Sequence, residues 1–156
     1  MEELRVPKRR VPVDVVLPGG VAQNVFVFLS EAAPGHDGPE RLADLLNGTD
    51  PFIPAQVANG GGMTFLHRIS IAVARVAPEF DLEAGEAVSP DTEHEVEITL
   101  VDGTRVQGRV GYSLPPERAR LVDFLNLCEP FFRVVEPDAV ALVGRAHVAR
   151  VGFASR

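Results

Sequence analysis

The stretch RLADLLNGTDPF, residues 41–52, decides how this chain is interpreted, because it returns as RLVDFLNLCEPF at residues 120–131. The shared residues are Arg41/Arg120, Leu42/Leu121, Asp44/Asp123, Leu46/Leu125, Asn47/Asn126, Pro51/Pro130 and Phe52/Phe131. A match of this density is improbable by chance, so the flanking sequence is expected to repeat as well.

The flanks do repeat. VDVVLPGG (13–20) parallels VEITLVDG (96–103), and VARV (73–76) parallels VARV (148–151). We interpret the chain as an internal tandem duplication, since self-similarity at a fixed period indicates repeated structural units. The predicted organisation is a basic N-terminal arm (1–10), a first repeat (11–77), an acidic linker (78–93) and a second repeat (94–156).

The spacing of apolar residues is clearest in the second copy. Val96, Ile98 and Leu100 alternate with polar residues, which predicts a strand with one buried face. Asp102 and Gly103 predict a tight hairpin turn, because glycine tolerates positive φ. The next strand is expected to place Val106, Gly108, Val110 and Tyr112 on one face. Residues 63–75 of the first copy predict one long bent strand or two strands that meet at a kink.

A short helix is predicted inside each repeated stretch. Leu121, Phe124 and Leu125 follow a spacing of i, i+3 and i+4, which gives one apolar helix face. Pro116 suits the first turn of this helix, and Gly48 suits the end of its counterpart. The repeated polar residues are assigned structural roles as i, i+3 ion pairs and helix ends: Arg41, Asp44, Asn47, Arg120, Asp123 and Asn126.

Two segments of the second copy carry a resemblance to a known family. VEITLVDGTRVQGRV (96–110) resembles the opening hairpin of Sm-like small β-barrels, and ALVGRAHVARV (141–151) is similar to their closing strands. The resemblance implies a mainly β fold of two tandem small β-barrel repeats, each with one short helix after its second strand. This helix departs from the family, and no RNA-binding position matches, so the resemblance implies a fold and no binding site.

The second strands of the two copies differ on their outer faces. Ala22, Phe26 and Phe28 occupy positions where the second copy has Arg105, Arg109 and Gly111. A strand that is apolar on both faces needs to be covered. We therefore predict that Ala22, Phe26 and Phe28 form an interface with the other repeat or with a second protomer.

Composition narrows the functional classes. The formal net charge of −7 makes nucleic acid an unlikely partner, and no apolar segment is long enough to span a membrane. The N-terminus has no apolar signal-peptide core, so a cytoplasmic location is expected. Cys128 is the only cysteine, and the four histidines are scattered without metal-ligand spacing, so neither a metal site nor another cofactor is expected. The sequence contains no matched catalytic set.

Two functional hypotheses remain. The first is a non-enzymatic binding or scaffolding protein that acts through a protein partner or through self-association. The alternative uses the basic arm, because RVPKR (5–9) resembles the RxxxR motif with which PilZ domains bind cyclic di-GMP. Arginine suits forked phosphate contacts and stacking on guanine, which would make Arg5, Arg9 and Arg10 the ligand-binding residues.

Overall fold

The computed structural model describes residues 8–32, 38–81 and 90–154. The first half contains β1 (Lys8–Leu17), β2 (Val21–Ser30), α1 (Leu42–Leu46), β3 (Phe52–Val57), β4 (Met63–His67) and β5 (Val73–Val76). The second half contains β6 (Thr92–Leu100), β7 (Arg105–Tyr112), α2 (Leu121–Leu127), β8 (Phe131–Val135), β9 (Val140–Gly144) and β10 (Val148–Phe153). Short 3₁₀ turns occupy Arg68–Ser70, Pro78–Phe80, Pro116–Arg118 and Arg145–His147. None of the helices in these ranges is long and apolar enough to cross a membrane.

All ten strands belong to one antiparallel sheet in the order β10-β6-β7-β8-β9-β5-β1-β2-β3-β4. The prediction of a mainly β fold is confirmed. The expected pair of tandem small β-barrels is not confirmed, because β5 of the first half pairs with β9 of the second half and the strands form one continuous sheet. Backbone hydrogen bonds thus cross the boundary that the sequence analysis drew between the two repeats.

The strand order of the first half, β5-β1-β2-β3-β4, is the same as that of the second half, β10-β6-β7-β8-β9. The registers correct one part of the sequence alignment. Val73 pairs with Val16, whereas Arg150 pairs with Thr99, the counterpart of Val16. Val73 therefore corresponds to Arg150, 77 positions later, and not to Val148. The repeated letters VARV were misleading because β10 shifts register between Val148 and Arg150.

The hairpin turn of the second half forms as predicted. Gly103 has φ +93°, which a glycine adopts without steric cost. The Asp102 carboxylate accepts a hydrogen bond from the backbone N–H of Thr104 at 2.9 Å, which closes the turn locally. In the first half, residues 63–76 form two strands, β4 and β5, joined by the 3₁₀ turn at Arg68–Ser70.

The helices form within the repeated stretches, but their ends differ from the prediction. Pro116 lies in a separate 3₁₀ turn and not in the first turn of α2. The carboxylate of Asp123 accepts the backbone N–H of Arg120 and also forms an ion pair with its guanidinium. Asn126 lies within α2, which ends at Leu127 with Cys128 as its C-cap residue, so Asn126 does not close the helix. The reason is that α2 has 7 residues whereas α1 has 5, so the equivalent asparagine falls inside the longer helix.

Two predicted boundaries also shift. The first strand begins at Lys8, so the last part of the predicted basic arm is sheet. Asp81, which was assigned to a solvated linker, is fully buried. The linker residues 82–89 lie outside the described ranges.

The buried side chains form two clusters, and both draw on strands from both halves. The first cluster contains the inward residues of β1 and β2 together with Phe131, Val140 and Leu142 from the second half. The second cluster contains the inward residues of β6 and β7 together with Ala72 and Val73 from the first half. Each core is therefore completed by the neighbouring half.

Candidate functional site

The junction between β5 and β9 is an interface built into the chain. Val73, Ala74, Arg75 and Val76 pair with Val143, Leu142, Ala141 and Val140, respectively. Successive side chains of a strand point to opposite faces, so β9 supplies both cores at once. Leu142 enters the first cluster and Val143 the second, and both are fully buried. A strand at this position is thus apolar on both faces because both faces are covered.

A side chain from α1 also crosses the junction. The Asn47 amide donates to the carbonyl of Phe131 at 3.1 Å and accepts from the Phe131 backbone N–H at 2.8 Å. Asn47 is the C-cap residue of α1, but its φ of −91° is not left-handed. The repeated asparagine of the first copy therefore joins the two halves in addition to ending a helix.

A buried carboxylate forms another polar contact across the junction. Asp81 accepts hydrogen bonds from the Arg133 guanidinium and, at 2.8 Å, from the backbone N–H of Ala43. Burial raises the pKa of the Asp81 carboxyl above its ordinary value, and the positive charge of Arg133 opposes this shift. Arg133 thus holds the first half to β8 while it compensates a charge that burial disfavours.

Two further polar contacts join the halves. Arg75 in β5 forms an ion pair with Glu136 at 2.9 Å. At the hairpin tips, the Asp102 carboxylate accepts the backbone N–H groups of Gly19 and Gly20 at 2.8 and 3.0 Å. The Thr104 hydrogen bond and these two N–H groups lower the pKa of the Asp102 carboxyl. Together these contacts fix the relative position of the two halves.

The outer edge of the first half, formed by β3 and β4, contains the counterparts of the junction residues of β8 and β9. Within the described ranges, β4 pairs with β3 alone. Phe52 is 55% exposed, Met63 54% and Phe65 67%. From the strand registers, their counterparts in the second half are Phe131, Val140 and Leu142, which are 5%, 0% and 0% exposed. The three exposed apolar residues therefore occupy the positions that the internal junction buries.

The opposite end of the sheet is the matching edge. Among the described strands, β10 pairs with β6 alone. Phe153 is exposed and Val151 is half-buried, although their counterparts in β5, Val76 and Ala74, are buried. Phe153 contacts the ring of His94 edge to face, with the ring centroids 5.2 Å apart. Both ends of the sheet thus present apolar side chains beside an unpaired backbone edge.

A cleft of about 790 Å³ lies beside the junction. It is bordered by α1, α2, β7 and β8, and its aromatic residues are Tyr112, Phe124, Phe131 and Phe132. Tyr112 stacks on Phe124 with the centroids 4.9 Å apart, and its hydroxyl donates to the carbonyl of Ala119 at 2.9 Å. These internal contacts explain how the cleft wall is held in place.

The structure places the predicted ligand-binding arginines apart. Arg9 and Arg10 are consecutive in β1, so their side chains leave on opposite faces. Arg9 donates to the carbonyl of Glu40 at 3.2 Å, and the Arg10 guanidinium lies over the Phe26 ring, 3.9 Å from its centroid. Arg5 lies outside the described residues. Neither Arg9 nor Arg10 lines the cleft, and binding of cyclic di-GMP stays a prediction.

The predicted interface residues lie on the outer face of β2. Phe26 and Phe28 are half-buried and Ala22 is exposed, and none belongs to the two core clusters. The halves pair through β5 and β9, which the sequence analysis did not single out. Contact of Ala22, Phe26 and Phe28 with a second protomer stays a prediction. Sequence analysis missed Met63, Phe65 and Phe153, although apolar residues at outward positions of terminal strands were a usable signal.

The remaining candidates are the Cys128 thiol and the side chains that could bind a metal ion. Burial raises the pKa of the Cys128 thiol, which donates to the carbonyl of Leu125 at 3.4 Å. In the described part of the chain, no group of three or more His, Cys, Asp or Glu side chains is arranged to hold a metal ion.

The chain matches no family model, no curated protein and no solved structure. The resemblance of residues 96–110 to the hairpin of Sm-like barrels therefore stays a prediction.

Proposed function

We propose that this chain is a non-enzymatic protein-contact module built from two copies of one five-stranded unit, and that it works in the cytoplasm. The observation that carries the proposal is the exposure of Phe52, Met63 and Phe65 along the edge of β4, which has no partner strand beyond β3 among the described residues. Soluble proteins usually protect such edges with charge, proline or a covering element. Met63 and Phe65 are apolar, so this edge has the composition of a contact surface.

The physical basis of binding is strand addition. An unpaired edge offers a row of backbone donors and acceptors, and alternate side chains give the contact its specificity. On β4 these alternate side chains are Met63 and Phe65, while Leu66 points into the core. Burying one large apolar side chain contributes about 2 kcal/mol, so three such residues can support a specific association.

Crosslinking in cells tests the proposal. A photoreactive benzoyl-phenylalanine replaces Phe65 in one variant and Gln107, an exposed residue of β7, in the matched control. The expected result is protein adducts from position 65 that disappear when Met63 is also changed to Ser, with few adducts from position 107. Equal adduct yields from the two positions would contradict a contact role for the edge. Mass mapping of each adduct identifies whether the partner is another copy or a different protein.

A further inference from the structure

We propose that the partner of the β3–β4 edge is a second copy of this chain. The β3–β4 edge of one copy docks head to tail against β10 and α2 of the other copy. The inference rests on the proposed contact function and specifies its occupant. Its basis is the internal junction, where the chain already joins an edge of the β9 type to an edge of the β5 type. β4 corresponds to β9, and β10 corresponds to β5. The two outer edges of the sheet are therefore of the same two types that pair with each other at the internal junction.

The internal register predicts the intermolecular one. Val140 faces Val76 and Leu142 faces Ala74 across the junction. Both strands have counterparts 77 positions away, so the pairs between copies follow directly. They are Met63 with Phe153, Thr64 with Gly152, Phe65 with Val151 and Leu66 with Arg150. The exposed Met63 and the exposed Phe153 would thus cover each other.

The apolar surfaces of the two edges match as well. At the junction, Phe131, Val140 and Leu142 pack into the core of the first half. In a docked copy, Phe52, Met63 and Phe65 take these places over the core of the second half. That core leaves Val151 and Leu125 only partly buried. Docking would therefore complete the second core in the way that the second half completes the first.

Asn126 provides an independent polar contact. It corresponds to Asn47, whose amide holds both backbone groups of Phe131. The counterpart of Phe131 is Phe52, so Asn126 is placed to bind the backbone of Phe52 in the incoming copy. Asn126 is exposed and lies inside α2, where it does not end the helix. Its repetition in the sequence is explained by a second junction of the same kind.

Three differences make the intermolecular junction weaker than the internal one. Pro54 stands at the position of Arg133, and Gly152 stands at the position of Arg75, so neither ion pair recurs. His67 stands at the position of Gly144, where an added Cβ would lie 2.8 Å from the carbonyl oxygen of Ile71. The edges must shift slightly there, beside the existing irregularity of β10. The association is therefore expected to be reversible and dependent on concentration.

The joint is heterologous, because different surfaces of the two copies meet. Such contacts form a closed ring or a growing chain, whereas a twofold contact stops at a dimer. Two variants distinguish these cases. Phe65→Glu disables the β4 edge, and Phe153→Glu disables the β10 edge. Each variant keeps one functional edge of opposite type.

Sedimentation velocity over a concentration series measures the effect. Wild type and the control Gln107→Glu are expected to associate, while each edge variant alone raises the dissociation constant at least about tenfold, a typical loss for a central contact residue. An equimolar mixture of the two variants is expected to form a dimer that does not grow. The proposal is overturned if wild type stays monomeric, or if either edge variant associates as well as wild type does.

Cysteine pairs test the register. In a Cys128→Ser background, one variant carries Met63→Cys and the other carries Phe153→Cys. Directly opposite strand positions lie close enough for a disulfide, so mild oxidation of the mixture should give a covalent dimer. The off-register pair of Met63→Cys with Arg150→Cys should crosslink far less. Equal crosslinking of the two pairs would overturn the predicted register.

The two proposals fail separately. If benzoyl-phenylalanine at position 65 captures other proteins while the purified chain stays monomeric, the edge is a contact surface but self-docking is wrong. If position 65 yields no more adduct than position 107 and the purified chain is monomeric, both proposals are wrong. Phe65→Glu and Phe153→Glu are expected to fold, because both side chains are exposed in the single chain. Circular dichroism checks that each variant is folded.

Discussion

Phe131 and Phe52 occupy the same position of the repeated stretch but have opposite environments. Phe131 is 5% exposed beside Asn47, whereas Phe52 is 55% exposed at the end of the sheet. Leu142 and Phe65 differ in the same way. The residue type is similar at both places, so the difference comes from whether a neighbouring half is present.

These equivalent residues of the two halves are therefore buried only where a neighbouring half pairs beside them. The internal joint combines an apolar surface, paired backbone edges and polar links through Asn47, Arg133, Arg75 and Asp102. The free edges keep the apolar surface and one asparagine. Substitutions made at equivalent positions of the two places should therefore have unequal effects on stability.

The largest difference is expected between Leu142→Ala and Phe65→Ala. Leu142 is fully buried, so its truncation should lower the free energy of unfolding by about 3 kcal/mol. Phe65→Ala should change it by less than about 0.5 kcal/mol, since the side chain is exposed in the single chain. Urea denaturation at a concentration where the protein is monomeric measures both. Similar losses in the two variants would show that the β4 edge is covered within one chain.

The next effect concerns the buried carboxylate. Arg133→Met leaves Asp81 buried without its guanidinium partner and should lower stability by about 2 kcal/mol at neutral pH. The exposed pair of Arg105 and Glu97 provides the control, and Arg105→Met should cost less than about 0.5 kcal/mol. Equal losses in the two variants would argue against a special role for Arg133.

The pH dependence of Arg133→Met sharpens this test. Without Arg133, the folded-state pKa of Asp81 rises further above its unfolded value of 3.8. The folded state then binds more protons than the unfolded state, so stability falls as pH rises through this window. The deficit of Arg133→Met relative to wild type should therefore shrink as the pH is lowered from 7 towards about 4. The double variant with Asp81→Asn should show no such change.

A smaller contrast is expected between the two repeated asparagines. Asn47→Ala leaves both backbone groups of Phe131 without their side-chain partner and should cost about 1 kcal/mol. Asn126→Ala should leave the stability of the monomer almost unchanged, because Asn126 is exposed. Thermal denaturation of both variants at low concentration makes the comparison. A larger loss for Asn126→Ala would show that this residue has a structural role within the single chain.

The smallest effect is expected at the outer face of β2. Arg10→Gln removes the guanidinium that lies over Phe26 and should cost about 0.5 kcal/mol, as is typical of exposed cation–π contacts. Lys8→Gln, which changes another exposed cation of the same strand, is the matched control. Chemical denaturation should separate the two variants. If both have wild-type stability, the contact between Arg10 and Phe26 makes no net contribution.

Much of the local structure could be predicted from particular residues. The alternation at Val96, Ile98 and Leu100 predicted β6, and Asp102-Gly103 predicted the turn after it. The helical spacing at Leu121, Phe124 and Leu125 predicted α2. These predictions succeed because strand and helix periodicity reflect which face of a local segment is apolar.

The candidate site was less accessible from sequence. Ala22, Phe26 and Phe28 were chosen because their strand is apolar on both faces, yet the halves join elsewhere. Periodicity identifies an apolar face but not the element that covers it. The importance of Met63 and Phe65 became visible only when Val140 and Leu142 were found buried at equivalent positions.

The sequence by itself indicated two stretches of internal similarity, the alternation that forms β6 with the turn after it, and a short helix inside each similar stretch. The tertiary structure alone decided that β5 pairs with β9, which buries one set of equivalent residues and leaves the other exposed. The physical reason is that every strand offers the same backbone donors and acceptors, so the local sequence does not determine which strand pairs with it. The choice of partner depends on the closure of two cores whose residues are far apart in the chain.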